Sequence, residues 1–220
     1  MADTIPCRVC GAASPLFYRD TRDFHRCPRC WLIFTATAAG DEQARAHYTA
    51  QWGNQDQKFW RDQTDALLSV IQRYHQPGRI LDFGSGSGAL TGELARRGCD
   101  VTPLEPMIHG YLKDQRYEKQ FDTILAIEVL EHLVNLWEEI AELERVLAPG
   151  GLIIASTLLT NPFIDQPDAV NQFAAWWYKD DPTHVNFFCN RTLETMASIR
   201  GWDVDVAGNK LVVIRKALDR

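Results

Sequence analysis

The chain has 220 residues, enough to bury a sizeable core, and its 45% hydrophobic and 24% charged residues are ordinary for a soluble α/β protein. A formal net charge of −6 weighs against an extended nucleic-acid surface, although Arg19, Arg22, Arg26 and Arg29 make a local basic series. With no apolar stretch of membrane length and no signal peptide, the expected location is the cytoplasm.

Six cysteines in a chain expected to be cytosolic point to metal before disulfides. Cys7, Cys10, Cys27 and Cys30 stand as C-x2-C-x16-C-x2-C, the spacing of a structural zinc ribbon, with Gly11 after the first pair and Pro28 inside the second. Four thiolates close a tetrahedron and leave no position for water, so such a zinc is structural. The alternative is four unligated buried thiols. Cys99 and Cys189 read as small core residues. Trp31 to Phe34 (WLIF) is a short strand-like run, followed by a small polar stretch and a helical AHYTAQW.

Phe59, Trp60, Thr64, Leu67, Leu68, Ile71 and Tyr74 recur at helical spacing, and Pro77-Gly78 stops the pattern. The next stretch, Arg79 to Gly88 (RILDFGSGSG), is the most informative. An apolar run carries an acid, Asp82, two residues before Gly84, with Gly86 and Gly88 following, which reads as a buried parallel strand turning into a helix around a nucleoside-bearing cofactor. The pattern D-x-G-x-G-x-G is not the dinucleotide fingerprint G-x-G-x-x-G, and a carboxylate at the strand end suits an ammonium better than a diphosphate. The next strand, Cys99 to Leu104, ends in Glu105, from which an acid can accept from both ribose hydroxyls.

The remaining elements read as a helix over 88–98, a strand over 121–127, a helix over 129–148, a strand over 151–157, a helix over 191–200 and two terminal strands, WDVDV and KLVVIR. Ala207-Gly208-Asn209 joins the last two as a hairpin, so the sheet is expected to end antiparallel.

From Gly78 to Ala217 the chain resembles the class I S-adenosylmethionine-dependent methyltransferases. The glycine loop, Phe121 to Leu133 (FDTILAIEVLEHL), Leu147 to Ser156 (LAPGGLIIAS) and the final hairpin stand in the order of that family's segments. FHRCPRCWLIF with the helix after it is similar to the N-terminal segment of a zinc-ribbon group of these enzymes, except that Trp31 stands where the group has Gly. The resemblance implies a Rossmann-like methyltransferase sheet over 78–220, a ribbon over 1–40 and a helical connector over 41–77 covering the cofactor end of the sheet. It implies S-adenosylmethionine contacts from Asp82, Gly84, Ser85, Gly86, Gly88, Glu105, Leu112 and Glu128, with Tyr48 or Gln57 as further contacts. Between Glu105 and Phe121 only fifteen residues remain. There IHGYLKD resembles the family's third strand, which would set Tyr111 and Leu112 beside the adenine and Asp114 at its amino group.

For the chemistry, His132 follows the fourth strand of the family, at the carboxyl end where ligands sit, and an imidazole titrates near neutral pH. Glu131 reads as a helix-start acid. The long segment from Asn161 to Asn190 carries WWYKDDPTHVNFF, which resembles the group's acceptor-side segment at Trp177, Tyr178, Asp181, His184 and Asn186. Asp181-Pro182 sets a turn that presents His184, and an aromatic-lined pocket would suit a small organic acceptor. The expectation is methyl transfer to a small-molecule biosynthetic intermediate, with His132, His184 and Tyr178 as catalytic residues. The alternatives are a zinc-ribbon RNA base methyltransferase and a non-catalytic cofactor-binding module.

Overall fold

Apolar runs alternating with amphipathic stretches after Gly78 build a six-stranded sheet, and the cysteine knuckles before it build a second, smaller one. The computed structural model describes residues 4–51 and 56–217. In chain order its elements are β1 (Thr4–Pro6), β2 (Ala13–Arg19), β3 (Asp23–Arg26), β4 (Ile33–Thr35), α1 (Asp41–Gln51) and α2 (Gln57–Ile71). There follow β5 (Arg79–Phe83), α3 (Ala89–Arg96), β6 (Asp100–Leu104), α4 (Pro106–His109), β7 (Phe121–Ile127) and α5 (Leu136–Val146). The chain closes with β8 (Leu147–Ser156), α6 (Ala169–Ala174), β9 (Asn186–Phe187), α7 (Asn190–Arg200), β10 (Asp203–Ala207) and β11 (Leu211–Arg215).

The large sheet has the order β10-β11-β8-β7-β5-β6. Strands β6, β5, β7 and β8 are parallel; β11 runs antiparallel to β8, and β10 to β11. The central strands are buried on both faces, as the near-continuous apolar runs of β5, β7 and β8 require. From β5 the chain moves outward to β6 and then crosses to β7 on the other side. The β5/β7 boundary is therefore the switch point, and a crevice opens at the carboxyl ends of these strands.

Helix α5 buries Leu136, Ile140, Leu143 and Val146, a stripe at helical spacing, in a core shared with β7 and β8. Helix α2 buries Thr64, Leu67 and Ile71, and its apolar side packs with Ile80, Leu94, Leu125, Leu152 and Val213. It thus lies on a sheet face beside α3, rather than over the strand ends as expected, because its apolar stripe matches that face. The Arg97 guanidinium clasps Asp65 (2.8 Å) and the Arg61 carbonyl (3.2 Å) across the pair.

Two other expectations are corrected. IHGYLKD forms no strand: Glu105 caps α4, with its carboxylate accepting from the Met107 amide (3.3 Å), and a 3-10 turn follows at Leu112–Asp114. Fifteen residues suffice for this compact crossing to β7, so β6 is the edge strand. The helix read over 129–148 is broken. Leu130–His132 is a 3-10 turn, and α5 starts only at Leu136. The carbonyls that a continuing helix would use are taken by a distant segment. The Asn186 amide donates to Leu130 (3.3 Å) and Leu133 (2.8 Å), and the Val185 N–H donates to Glu131 (2.8 Å).

The small sheet has the order β1-β2-β3-β4-β9. Its last strand comes from the far end of the chain: Ile33 pairs with Phe187 and Phe34 with Asn186. Cys7, Val9, Leu32 and Phe34 lie in the same core cluster as Ile140, Leu193 and Trp202, and the Trp137 indole donates to the Val9 carbonyl (3.0 Å). Ribbon and large sheet therefore share one core.

Candidate functional site

At the end of β5, Gly84 takes φ +75°, and a Cβ there would stand 2.5 Å from the Val129 Cγ2, so glycine is required for the loop to close on β7. Gly88, at φ +77°, caps α3 and faces open space, leaving room for a ligand against the backbone. The loop is pinned to β6 by the Gly84 and Ser85 amides on the Leu104 carbonyl (2.8 and 3.2 Å). Glu105 reaches back across it and accepts from the Gly86 N–H (3.0 Å). Asp82 is 2% exposed and accepts from the Thr91 hydroxyl (2.5 Å); burial pushes its carboxyl up to about 6. The loop thus offers an acid at each end, with backbone amides between them.

Leu112 is not presented to this crevice. It is 1% exposed within the main core, its carbonyl held by Arg145 (3.1 Å), whereas Tyr111 is 56% exposed. Gln57 is exposed. Tyr48, on α1, instead packs edge-on against the His132 ring at 5.4 Å, and burial raises its hydroxyl to about 12.

The carboxyl end of β7 carries the second half of the site. Glu128 holds φ +55°, a left-handed conformation that costs a residue with a Cβ about 1–2 kcal/mol. Its carboxylate accepts from the Ser156 hydroxyl (2.7 Å), lies 3.1 Å from the Lys210 ammonium, and accepts a longer contact from Tyr178 (3.4 Å). Tyr178 gives its shorter bond to Glu131 (2.6 Å). Glu131 is fully buried, and burial together with the nearby Glu128 charge raises its pKa. Its position in the sequence suggests a helix-start acid, but it is a buried acceptor beneath the imidazoles.

His132 and His184 stack edge-on at 4.7 Å. His132 Nδ1 lies 3.2 Å from the Thr183 carbonyl, and His184 Nδ1 lies 2.8 Å from the Tyr178 carbonyl. A carbonyl only accepts, so each Nδ1 carries its hydrogen and each Nε2 keeps a lone pair. Burial lowers the pKa of both rings, that of His132 to about 4, so both are neutral at pH 7. The expected turn at Asp181 is present: its carboxylate accepts from the Thr183 amide (2.9 Å) and hydroxyl (2.5 Å), and also pairs with His47 (2.8 Å). Burial works against this charge, yet these donors and the His184 ring hold Asp181 down at about 2.

Most aromatic side chains of the 161–190 segment are packed in a core of their own. Phe163, Phe173, Tyr178 and Phe187 pack with Phe24 and Ile33 of the ribbon into a satellite core, and Trp177 is 67% exposed. Tyr178 alone among these four turns a polar tip toward the carboxylates.

The four ribbon sulfurs converge. Cys7 and Cys30 Sγ are 3.5 Å apart, Cys10 and Cys27 Sγ are 3.4 Å apart, and all four lie within 4.8 Å of one another. A tetrahedron with bonds of about 2.3 Å has sulfur–sulfur edges of about 3.8 Å, so the set fits a tetrahedral ion. The two knuckles repeat one geometry. Gly11 donates to the Cys7 carbonyl (2.9 Å) at φ +71°, and Trp31 donates to the Cys27 carbonyl (3.0 Å) at φ +64°. The guanidinium groups of Arg26 and Arg191 lie 5.3 and 4.7 Å from the Trp31 ring.

Two arginines tie the ribbon to the imidazole segment. Arg8, inside the first knuckle, donates to the carbonyls of Thr35 (2.6 Å) and Val185 (3.1 Å) and to the Asn186 side chain (2.9 Å). Arg22, on the β2–β3 turn, donates to the carbonyls of Lys179, Pro182 (3.3 Å) and His184 (2.9 Å). The basic series is therefore split: Arg22 serves this segment and Arg26 covers Phe17 and Trp31, whereas Arg19, paired with Asp23 (2.5 Å), and Arg29 are exposed. Sequence reasoning missed Arg8 and Arg22 as organising groups, because a charge pattern does not tell which way a side chain points.

The chain matches a family model described as a methyltransferase domain over residues 52–206. It is 33% identical over 105 residues to a ubiquinone biosynthesis O-methyltransferase of Roseobacter denitrificans, a match covering 38% of this chain and 42% of that protein. It is 25% identical over 185 residues to a malonyl-[acyl-carrier protein] O-methyltransferase of Enterobacter lignolyticus, covering 76% and 69%. The matches to ubiquinone biosynthesis O-methyltransferases thus span less than half of those proteins. Among solved structures, the plantazolicin methyltransferase BpumL in complex with SAH superposes with a TM-score of 0.59 at 13% identity, covering 80% of this chain and 91% of that one. The PH0226 protein from Pyrococcus horikoshii OT3 gives 0.55 at 16% identity, covering 81% and 100%. These likenesses establish the shared fold.

Replacing Arg22 by Met leaves three carbonyls of the 179–184 stretch without their donor, at about 1–3 kcal/mol for each that stays buried. The expected outcome is preferential proteolytic cleavage within 177–185 of the variant, with the large sheet intact. Equal protection of this stretch in wild type and variant would refute the tethering role.

Proposed function

Because the chain belongs to the methyltransferase-domain family, whose model it matches over residues 52–206, we propose that it transfers a methyl group from S-adenosylmethionine to a small organic acceptor. The observation that carries this reading is the pair of half-sites at the switch point, an acid-flanked glycine loop on β5 and a buried Glu–His–His group after β7. S-adenosylmethionine supplies, when bound, a methyl group on a sulfonium; the acceptor's lone pair forms the new bond to carbon while the C–S pair stays on sulfur.

In this reading Asp82 receives the aminoacyl ammonium, and the loop from Gly84 to Gly88 with Ser85 accommodates the backbone side of the cofactor. Glu105 exchanges the Gly86 amide for the ribose hydroxyls, and Glu128 walls the crevice toward the acceptor. Tyr178 orients the acceptor, and the lone-pair face of His132 or His184 receives its proton where it must lose one. Holding the acceptor in line supplies much of the rate, up to about 7–11 kcal/mol in favourable cases. We propose zinc for the four thiols, in a structural role, since all four positions of the tetrahedron are filled by protein. Arg8, Arg22 and Arg26 of the ribbon are engaged within the protein, which favours a small acceptor over RNA.

Asp82 gives the cofactor contact a pH signature. Its pKa near 6 in the free protein means that it is protonated in acid, and an ammonium partner requires the ionised form. The affinity for S-adenosylhomocysteine, measured calorimetrically, should therefore rise between pH 5 and pH 7 and then level. Asp82→Asn should bind about tenfold or more weakly with no such rise. An unchanged pH profile in the variant would remove Asp82 from the site.

The activity itself is tested with methyl-deuterated S-adenosylmethionine and cell extract divided into small-molecule, RNA and protein fractions. Label in the small-molecule fraction is the expected result. Label confined to RNA or protein, or none with the cofactor bound, would contradict it.

A further inference from the structure

The group after β7 holds more than a proton-accepting imidazole requires. Ligand atoms of Glu131, His132 and His184 lie within 4.8 Å of one another, on two segments that meet at the carboxyl end of β7. Both imidazoles turn lone pairs outward, because their Nδ1 hydrogens are committed to the Thr183 and Tyr178 carbonyls. Glu131 is fully buried; one of its carboxylate oxygens accepts from Tyr178, and the other, Oε2, has no hydrogen-bond partner among the described residues. The His132 Nε2 stands 4.0 Å from Glu131 Oε1, and the His184 Nε2 stands 3.8 Å from Asp181 Oδ2. No hydrogen lies on either Nε2 to bridge these gaps. Lone pairs thus face carboxylates in a buried space, an arrangement that costs energy unless something positive sits among them.

We infer that Glu131, His132 and His184 form a binding site for a divalent cation, one separate from the cysteine ribbon. A proton would serve one atom of this set, whereas a divalent ion serves all three. Imidazoles fixed by Nδ1 hydrogen bonds to backbone carbonyls are the supported ligands that metal sites use, and Tyr178 plays the same part for Glu131. Two nitrogens and one carboxylate favour a first-row divalent ion over calcium, and they do not compete with four thiolates for a soft metal. Asp181 is already occupied by Thr183 and His47, which leaves it as the outer support of His184.

The inference deepens the methyl-transfer reading and rests on it for its consequence. Three protein ligands leave up to three positions of a six-coordinate ion for oxygen atoms of the acceptor. An acceptor with two adjacent oxygens, a diol, a catechol or a hydroxy-carbonyl, is the class that such a site selects. The bound hydroxyl gives up its proton more readily, because the cation stabilises the oxyanion. The O–H bond breaks with its pair left on oxygen; with both Nε2 lone pairs on the ion the imidazoles no longer accept the proton, which goes to solvent. That oxygen forms the bond to the methyl carbon, and the C–S pair stays on the departing sulfur.

The test titrates Mn2+ into the zinc-loaded full chain and follows free Mn2+ by electron paramagnetic resonance. One Mn2+ bound per chain is expected, with the affinity reduced tenfold or more in Glu131→Gln and in His184→Ala while both still bind S-adenosylhomocysteine. No binding up to millimolar Mn2+, or equal binding in wild type and both variants, would overturn it. If either variant fails to fold, pulsed resonance on the wild-type complex decides: nitrogen couplings from imidazole support the site, and their absence from bound Mn2+ refutes it. These readouts are independent of turnover. Mn2+ bound with no methyl acceptor found counts against the transferase reading, and labelled product without any Mn2+ site counts against the inference alone.

Discussion

The pairing of β4 with β9 is the constraint on which the site depends. Two residues after the second cysteine knuckle, the ribbon offers an open strand edge, and the chain returns more than 150 positions later to cover it with Asn186 and Phe187. An uncovered edge is a row of unpaired amides and carbonyls, so the pairing satisfies the ribbon and anchors the imidazole segment together. Asn186 then reaches from β9 to the carbonyls of Leu130 and Leu133, which stops the helix after β7 and holds Glu131 and His132 in a tight turn. Arg8 grips the same Asn186 from inside the first knuckle. The ribbon is thus a structural part of one wall of the site and not a separate appendage.

Electrostatics set the other condition. The centre of the site gathers Glu128, Glu131 and Asp181 around two neutral imidazoles, and burial disfavours charge on most of them. A protein gains no stability from such a group, and Glu128 adds a strained backbone to it. The surrounding contacts hold it in place: the aromatic satellite core, the Thr183 turn and the Arg22 tether. Rigid support around a costly polar centre is the arrangement that orientation-based catalysis requires.

Much of the fold is legible in the sequence because it is written locally. The apolar run into D-x-G-x-G-x-G, the strand of residues 121–127 and the terminal Gly-Asn hairpin are short-range patterns, and each stands in the structure at nearly the expected bounds. The cysteine spacing likewise announces the thiol cluster. What failed depended on partners far along the chain. The break after His132 is caused by Asn186, which no window around His132 contains. The third strand came from the resemblance alone, and fifteen residues between Glu105 and Phe121 hold a compact crossing instead. The aromatic-rich segment suggests a pocket lining, and composition does not say that most of its rings face each other. Glu131 reads locally as a helix-start acid, and only the fold reveals that Tyr178 and the imidazoles close over it.

If the ribbon shapes the acceptor wall and its four thiols hold the proposed zinc, withdrawing that ion must loosen the wall before it loosens the cofactor loop. Amide hydrogen exchange on metal-loaded and chelator-treated protein tests this directly. The account predicts faster exchange after chelation at residues 183–188 and 130–133, with β5 and β7 as protected as before. Unchanged protection at 183–188, or uniform loosening of the whole chain, would contradict it.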